Sequence, residues 1–264
     1  MLAREIAYAE QQKTTPANFL LHLMHLKTYE FALPYCSGGR VLDVGCGPGY
    51  GVCRIAPDCR EVIGIDIDAD AIKYARENFT LENTDFRLVR PAEEEAFPFE
   101  DDSFDTVISF QVIEHVFDMN AYLSEIRRVL KPNGIFVCAT PDRSTRLFPF
   151  QRPWNFEHVT EFTKEDFEAV LKQQFDEFDI FKMGGNLDVI RIEIERTKKL
   201  RRLLLPVTLP IIPDFLRVQA LRMAQNLKNE TPEARNPDLN FDLDDIYITK
   251  DASPSLNLIS VARA

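Results

Sequence analysis

The chain has little of what metal and disulfide frameworks need: four histidines and five cysteines in 264 residues. Cys36, Cys46, Cys53, Cys59 and Cys138 are odd in number and show no C-x-x-C spacing, so they read as reduced thiols of a cytoplasmic protein with no resident metal. There is no run of about 18 apolar residues, hence no candidate membrane span. The opening residues MLAREIAYAEQQ are polar and helical in character and lack the apolar stretch of a secretory leader. Positive charge is also scarce, 31 basic residues against 42 acidic ones for a net charge of −11. A chain of that sign repels nucleic acid, and no nucleic-acid partner is expected. The sequence contains neither G-x-x-x-x-G-K-[ST] nor G-x-G-x-x-G, so the triphosphate loop and the dinucleotide fingerprint are both missing.

What is present begins with 45% apolar residues, enough for one α/β domain with additions. Arg40 to Gly51 reads RVLDVGCGPGYG. Val41, Leu42 and Val44 make a buried strand that runs into Gly45, Gly47 and Gly49 and then a helix. Such a turn brings bare backbone N–H groups and a helix N-terminus up to a ligand. A second strand, EVIGIDID, ends at Asp66, where a carboxylate can accept both hydroxyls of a ribose.

Four blocks stand in order: VLDVGCGPGYG, VIGID, DDSFDTVISFQVIEHV and EIRRVLKPNGIFVCATP. Together they resemble the class I S-adenosylmethionine-dependent methyltransferases, over about Arg40 to Phe181. The resemblance implies a doubly wound, mostly parallel sheet of seven strands with S-adenosylmethionine as cofactor. It implies cofactor contacts from Asp43, Gly45, Gly47, Gly49, Asp66, Ile67, Phe110 and Gln111. Relatives carry an adenine-reading acid after the third strand; here Arg90-Pro91 stands instead, and the contact is expected from Ala92 and Glu93.

Strand and helix signals alternate: strands at 40–44, 62–67, 86–89, 104–110 and 134–140, with helices near 49–56, 69–79 and 119–130. Asp68 or Asp70 is expected to cap the second of these helices, and Thr163, with Asp166 at its third position, to cap a later one. Residues 1–35 form a helical cover closed by Pro34, on which His22, His25 and Tyr29 share neighbouring turns. It either covers a sheet edge or closes over the methionine end of the cofactor. Relatives with an H-L-x-R-Y segment carry arginine where this chain has Thr28. The core is expected over 36–185, with a sixth strand near 175–183 and the last strand within 246–264. The roughly 70 residues between those strands far exceed a hairpin turn of about 2–5, so 186–245 reads as a mostly helical insertion. Within 198–213 a basic cluster, Lys198, Lys199, Arg201 and Arg202, precedes the aliphatic LLLPVTLPIIP. That segment suits peripheral membrane contact, packing on its own domain, or a homo-oligomer interface.

Glu114 and His115 leave the fourth strand at the crevice, readable either as an acid/base pair or as loop-ordering contacts to the cofactor. The Asn/Asp-Pro-Pro-aromatic sequence of nucleobase and amide methyltransferases is absent there. The block WNFEHVTEFT, residues 154–163, resembles an N-x-x-H-x-x-E-F-T element of methyltransferases with glycan or lipid-linked small-molecule acceptors. Its aromatics suit a saccharide or quinone-like ring, or a lid packed on the body. The expectation is methyl transfer to a hydroxyl, or less readily an amine, of a small-molecule or glycan-type acceptor, with His158 the preferred base and His115 second. The competing reading is a non-catalytic S-adenosylmethionine-binding or interaction subunit.

Overall fold

The computed structural model describes residues 8, 15–89, 96–229 and 241–264. Helix α1 (Pro16–Cys36) leads into β1 (Arg40–Val44), α2 (Tyr50–Ile55), β2 (Glu61–Asp66), α3 (Ala69–Asn78) and β3 (Thr84–Leu88). There follow β4 (Phe104–Phe110), α4 (Met119–Val129), β5 (Leu130–Pro141), the single turn α5 (Arg143–Arg146) and α6 (Lys164–Leu171). The chain closes through β6 (Glu177–Gly185), α7 (Leu187–Leu203), α8 (Leu205–Thr208), α9 (Asp214–Asn229), β7 (Ile246–Thr249) and β8 (Asn257–Arg263).

One sheet has the order β3-β2-β1-β4-β5-β8-β6-β7. The strands from β3 to β5 are parallel, β8 runs antiparallel between β5 and β6, and β7 is antiparallel on the β6 edge. The central strands alternate by residue between two buried faces. Val41, Val62, Ile108 and Val137 pack beneath α1, α2 and α3. Leu42, Ile63, Val107 and Phe136 pack with Leu123, Ile126 and Phe167 of α4 and α6 on the other face. Burial on both faces is why these strands read as continuous apolar runs.

Two expectations need correction. Among the described residues the sheet has eight strands, not seven: residues 246–264 supply β7 as well as β8. The short β7 is pinned where Asn186 Nδ2 donates to Asp245 Oδ1 at 2.7 Å and the Asn186 N–H to the Asp245 carbonyl at 2.9 Å. Helix α1 also does not stop at Pro34 but runs on to Cys36. A proline this near the end forfeits one backbone bond, and the Ser37 N–H still reaches the Leu33 carbonyl at 3.1 Å. The expected caps are present: Asp68 Oδ1 accepts from the Asp70 N–H at 2.8 Å, and Thr163 forms a reciprocal capping box with Asp166.

The insertion folds back on the body. Gln151 Nε2 donates to the Arg201 carbonyl at 3.0 Å and to Thr208 Oγ1 at 2.8 Å, while Arg217 Nη1 donates to the Pro153 carbonyl at 2.8 Å. Arg201 lies over the Phe148 ring, so of the basic cluster Lys198, Lys199 and Arg202 are the exposed members. No helix among the described residues is long and apolar enough to cross a membrane.

Candidate active site

The sheet order reverses direction between β1 and β4, and a ligand crevice belongs at the carboxyl ends of those strands. A cleft of ≈ 440 Å³ lies there. The glycine turn forms its floor through Gly45 and Gly47, Phe110 and Gln111 form one wall, and His22, His25 and Tyr29 of α1 face them. Gly45 has φ +81°, and a Cβ on it would come within 2.3 Å of Val112 Cγ2. Gly47 has open space where a Cβ would stand, so its backbone is bare toward the cleft. Gly49 is absent from the cleft lining; it caps α2, where a Cβ would meet Ala75 and Phe86 at 2.7 and 2.8 Å. Its task is therefore close packing of the turn against α3 and β3.

Asp66 ends β2 beside the turn. Its Oδ2 accepts from the Gly47 N–H at 2.8 Å and its Oδ1 from the Asp68 N–H at 2.9 Å. A carboxylate has about four lone-pair sites, so two remain for a pair of hydroxyls. Ile67, 65% exposed, follows it as an apolar surface. Ala92 and Glu93 lie outside the described residues.

Asp43 is wholly buried at the end of β1, and Tyr29 Oη donates to its Oδ2 at 2.8 Å. Burial pushes its carboxyl up to about 7; the Tyr29 bond pulls against this and the Asp66 charge adds to it. Its Oδ1 has no hydrogen-bond partner, an open acceptor next to the cleft. His22 and His25 are held neutral by burial, each pushed down to about 4. His25 Nδ1 pairs with Tyr50 Oη at 3.1 Å, and Thr28 spends its hydroxyl on the Met24 carbonyl at 2.9 Å. A bare glycine backbone, a ribose-type carboxylate and an orphaned buried acceptor suit a cationic amino-acid nucleoside, and S-adenosylmethionine is one.

Beyond Gln111 a second group assembles from two separate segments. Glu114 and His115 sit on a 3₁₀ turn after β4, and His158 comes from the loop before α6. Ligand atoms of all three lie within 4.8 Å of one another, and the two imidazoles meet edge to face at 4.8 Å. The Glu114 carbonyl accepts the Val159 and Thr160 N–H groups at 2.8 and 3.2 Å, which ties the His158 loop to the β4 tip. Thr140, at the end of β5, donates to Glu114 Oε2 at 3.0 Å, while Oε1 is buried without a partner. Burial pushes the Glu114 carboxyl up to about 8.

His158 Nδ1 lies 2.9 Å from Glu161 Oε1. Glu161 is in turn bonded by Arg146, Nε to Oε2 at 3.0 Å and Nη2 to Oε1 at 3.2 Å. Burial alone would raise the Glu161 carboxyl, but the Arg146 charge and the His158 bond bring it down to about 2. An ionised carboxylate only accepts, so His158 carries its proton on Nδ1 and presents the Nε2 lone pair. His115 follows the same logic, with Nδ1 3.1 Å from the Glu157 carbonyl. Arg146 reaches Glu193 of α7 at 3.9 Å and lies over the Trp154 ring at 4.5 Å, with Arg196 over the same ring at 5.6 Å.

The three residues that meet here were thus legible in the sequence, and what holds them was not. Glu161 was visible in the H-x-x-E spacing, whereas Arg146, Thr140 and Glu193 carried no local signal. The aromatics of the loop also make contacts within the chain. Trp154 is covered by two arginines, Phe156 by Arg222 at 5.3 Å, and Phe148 stacks on Phe150 at 6.0 Å.

This fold and cleft are those of a class I S-adenosylmethionine-dependent methyltransferase. A methyltransferase-domain family model matches residues 36–175, and the chain belongs to that family. It is 36% identical over 148 residues to a protein of Mycolicibacterium smegmatis named a probable S-adenosylmethionine-dependent methyltransferase, covering 56% of each chain. It is 38% identical over 120 residues to the ubiquinone biosynthesis O-methyltransferase of Rhodopseudomonas palustris, 44% of this chain and 46% of that one. The match thus spans about half the length of these relatives. Among solved structures, a SAM-dependent methyltransferase from Thermotoga maritima aligns with a TM-score of 0.56 at 14% identity, over 97% of this chain and 91% of that one.

Proposed function

We propose that the protein transfers a methyl group to a hydroxyl oxygen of a small-molecule acceptor. The observation that carries this is the Glu114–His115–His158 cluster, whose first member stands three residues along the chain from Gln111 of the cleft lining. S-adenosylmethionine, when bound, supplies an electrophilic methyl on a sulfonium. The protein's share is then to hold the acceptor oxygen in line in a site closed to water, which is worth about 7–11 kcal/mol. A hydroxyl also has to lose its proton. The Nε2 of His158, its Nδ1 turned to Glu161, would accept that proton. A positioned base of this kind contributes roughly 10²–10⁴-fold.

Support comes from three sides. Glu161 and Arg146 fix the His158 tautomer, the sequence after β4 lacks the nitrogen-methylating Asn/Asp-Pro-Pro element, and one relative is named an O-methyltransferase. The test is incubation with methyl-labelled cofactor and fractionated small-molecule and glycan pools. Label entering a hydroxyl-bearing small molecule is the expected result. Label confined to glycans or amines would move the acceptor class. Cofactor binding with no transfer to any pool would leave a binding subunit instead. His158→Gln is expected to lower turnover at least 100-fold while keeping S-adenosylhomocysteine affinity; full turnover would remove His158 from the step.

A further inference from the structure

We propose that Glu114, His115 and His158 form a binding site for one divalent transition cation of the zinc class. The inference rests on the reading above only in placing this site beside the acceptor. The donor set is two imidazoles and one carboxylate, with all ligand atoms within 4.8 Å of one another. Donors around a four-coordinate zinc stand about 2.0–2.2 Å from the ion and so roughly 3.3 Å apart. The widest pair has to close by about 1.5 Å, within the reach of side-chain torsions.

Two independent features point to a cation. Glu114 is 0% exposed, and while its Oε2 takes the Thr140 bond its Oε1 has no hydrogen-bond partner. A buried carboxylate oxygen left unpaired is costly, and a cation there would satisfy it. Both histidines, moreover, have their other nitrogen already oriented: His158 Nδ1 by the Glu161 carboxylate at 2.9 Å and His115 Nδ1 by the Glu157 carbonyl at 3.1 Å. Carboxylate or carbonyl on one ring nitrogen and metal on the other is the usual support for a ligating imidazole. Arg146 anchors Glu161, and Thr140 anchors Glu114, so the donors are fixed from behind.

The donor set also selects among ions. Calcium and magnesium take shells of oxygen, whereas two imidazoles with one carboxylate suit zinc or cobalt. Three protein ligands leave a fourth position open, and half-exposed His115 keeps it accessible. An acceptor hydroxyl in that position would ionise with its proton passing to water, replacing the need for His158 as base.

The test uses the full chain, stripped with chelator and titrated with cobalt(II) and with zinc. One equivalent of cobalt is expected to bind with the visible absorption of a four- or five-coordinate ion, and zinc is expected to displace it. Half-exposed His115→Ala and buried His158→Ala are each expected to weaken binding at least 100-fold, with S-adenosylhomocysteine affinity unchanged as proof of folding. Glu161→Gln is expected to weaken it about 10–100-fold. Failure of the parent to bind cobalt at 0.1 mM, about the weakest affinity a resident site would show, overturns the site, as does undiminished binding in the His115→Ala/His158→Ala double variant. Methyl transfer by the chelator-stripped protein that cannot bind cobalt would leave the methyltransferase reading standing. Cobalt binding without transfer to any acceptor would do the reverse.

Discussion

The glycine turn and the Glu114–His115–His158 cluster stand at the same end of one sheet, yet they are built differently. The turn is made of backbone and of residues close in sequence: Gly45 and Gly47 follow β1 and meet the end of β2 through the Gly45 N–H to the Ile65 carbonyl and the Gly47 N–H to Asp66, each at 2.8 Å. The cluster takes side chains from the tips of β4 and β5, a loop, α5 and α7, held by a buried alternation of charge through Glu161, Arg146, Glu193 and Arg196. A cofactor with one shape can be met by local backbone geometry. Acceptors differ, and their site is drawn from long-range parts that an insertion such as 186–245 can reshape.

The contrast can be broken first at its most buried point. Arg146 is 7% exposed among Glu161, Glu193 and the Trp154 ring, so Arg146→Met leaves buried Glu161 without its cation, while Glu193 keeps Arg196. A loss of about 3–5 kcal/mol in denaturant unfolding is expected, largely recovered by the Arg146→Met/Glu161→Gln pair. A loss below 1 kcal/mol would show that the charged chain is not what holds the cluster. On the cofactor side, Gly45→Ala puts a Cβ 2.3 Å from Val112 Cγ2 at φ +81°. Overpacking and backbone strain together cost about 2–4 kcal/mol, and calorimetry should register a fall in S-adenosylhomocysteine affinity of about 100-fold.

A smaller effect is expected at Asp66. Hydrogen bonds to a charged group contribute about 1.5–3 kcal/mol, so Asp66→Ala should weaken S-adenosylhomocysteine about 10–100-fold while leaving cobalt binding at the cluster untouched. Coupled loss of both would mean that the two regions are not independent. The smallest effect is in pH dependence. Asp43 and Glu114 are raised to about 7 and about 8, so between pH 4 and 8 the folded chain holds protons that the unfolded chain has released. Stability of the ligand-free protein should therefore fall as pH rises through that window, opposite to a salt-bridged carboxylate. Thermal melts of Glu114→Gln should show a flatter slope; an unchanged slope would assign the protons elsewhere.

Legibility in the sequence followed the same division. Strand β1, its glycine turn and Asp66 were readable because apolar runs, turn residues and a strand-end acid all lie within about 30 residues. Asp68 and Thr163 announced their caps because a cap acts two or three residues away. Gly49 was assigned to the ligand because spacing cannot distinguish a glycine that faces a cleft from one that admits Phe86. The short β7 was missed because four residues, Ile246 to Thr249, leave too little alternation to tell an edge strand from the end of a loop.

Fold class, cofactor turn and the identity of the three cluster residues were thus written in local patterns, which need only near neighbours to have meaning. The orientation of His158, the unpaired oxygens of Asp43 and Glu114, and the burial of Arg146 and Glu193 arise between residues up to about 50 positions apart. No local pattern encodes such contacts, because they exist only once the packed core has excluded water and set charges against one another at short range.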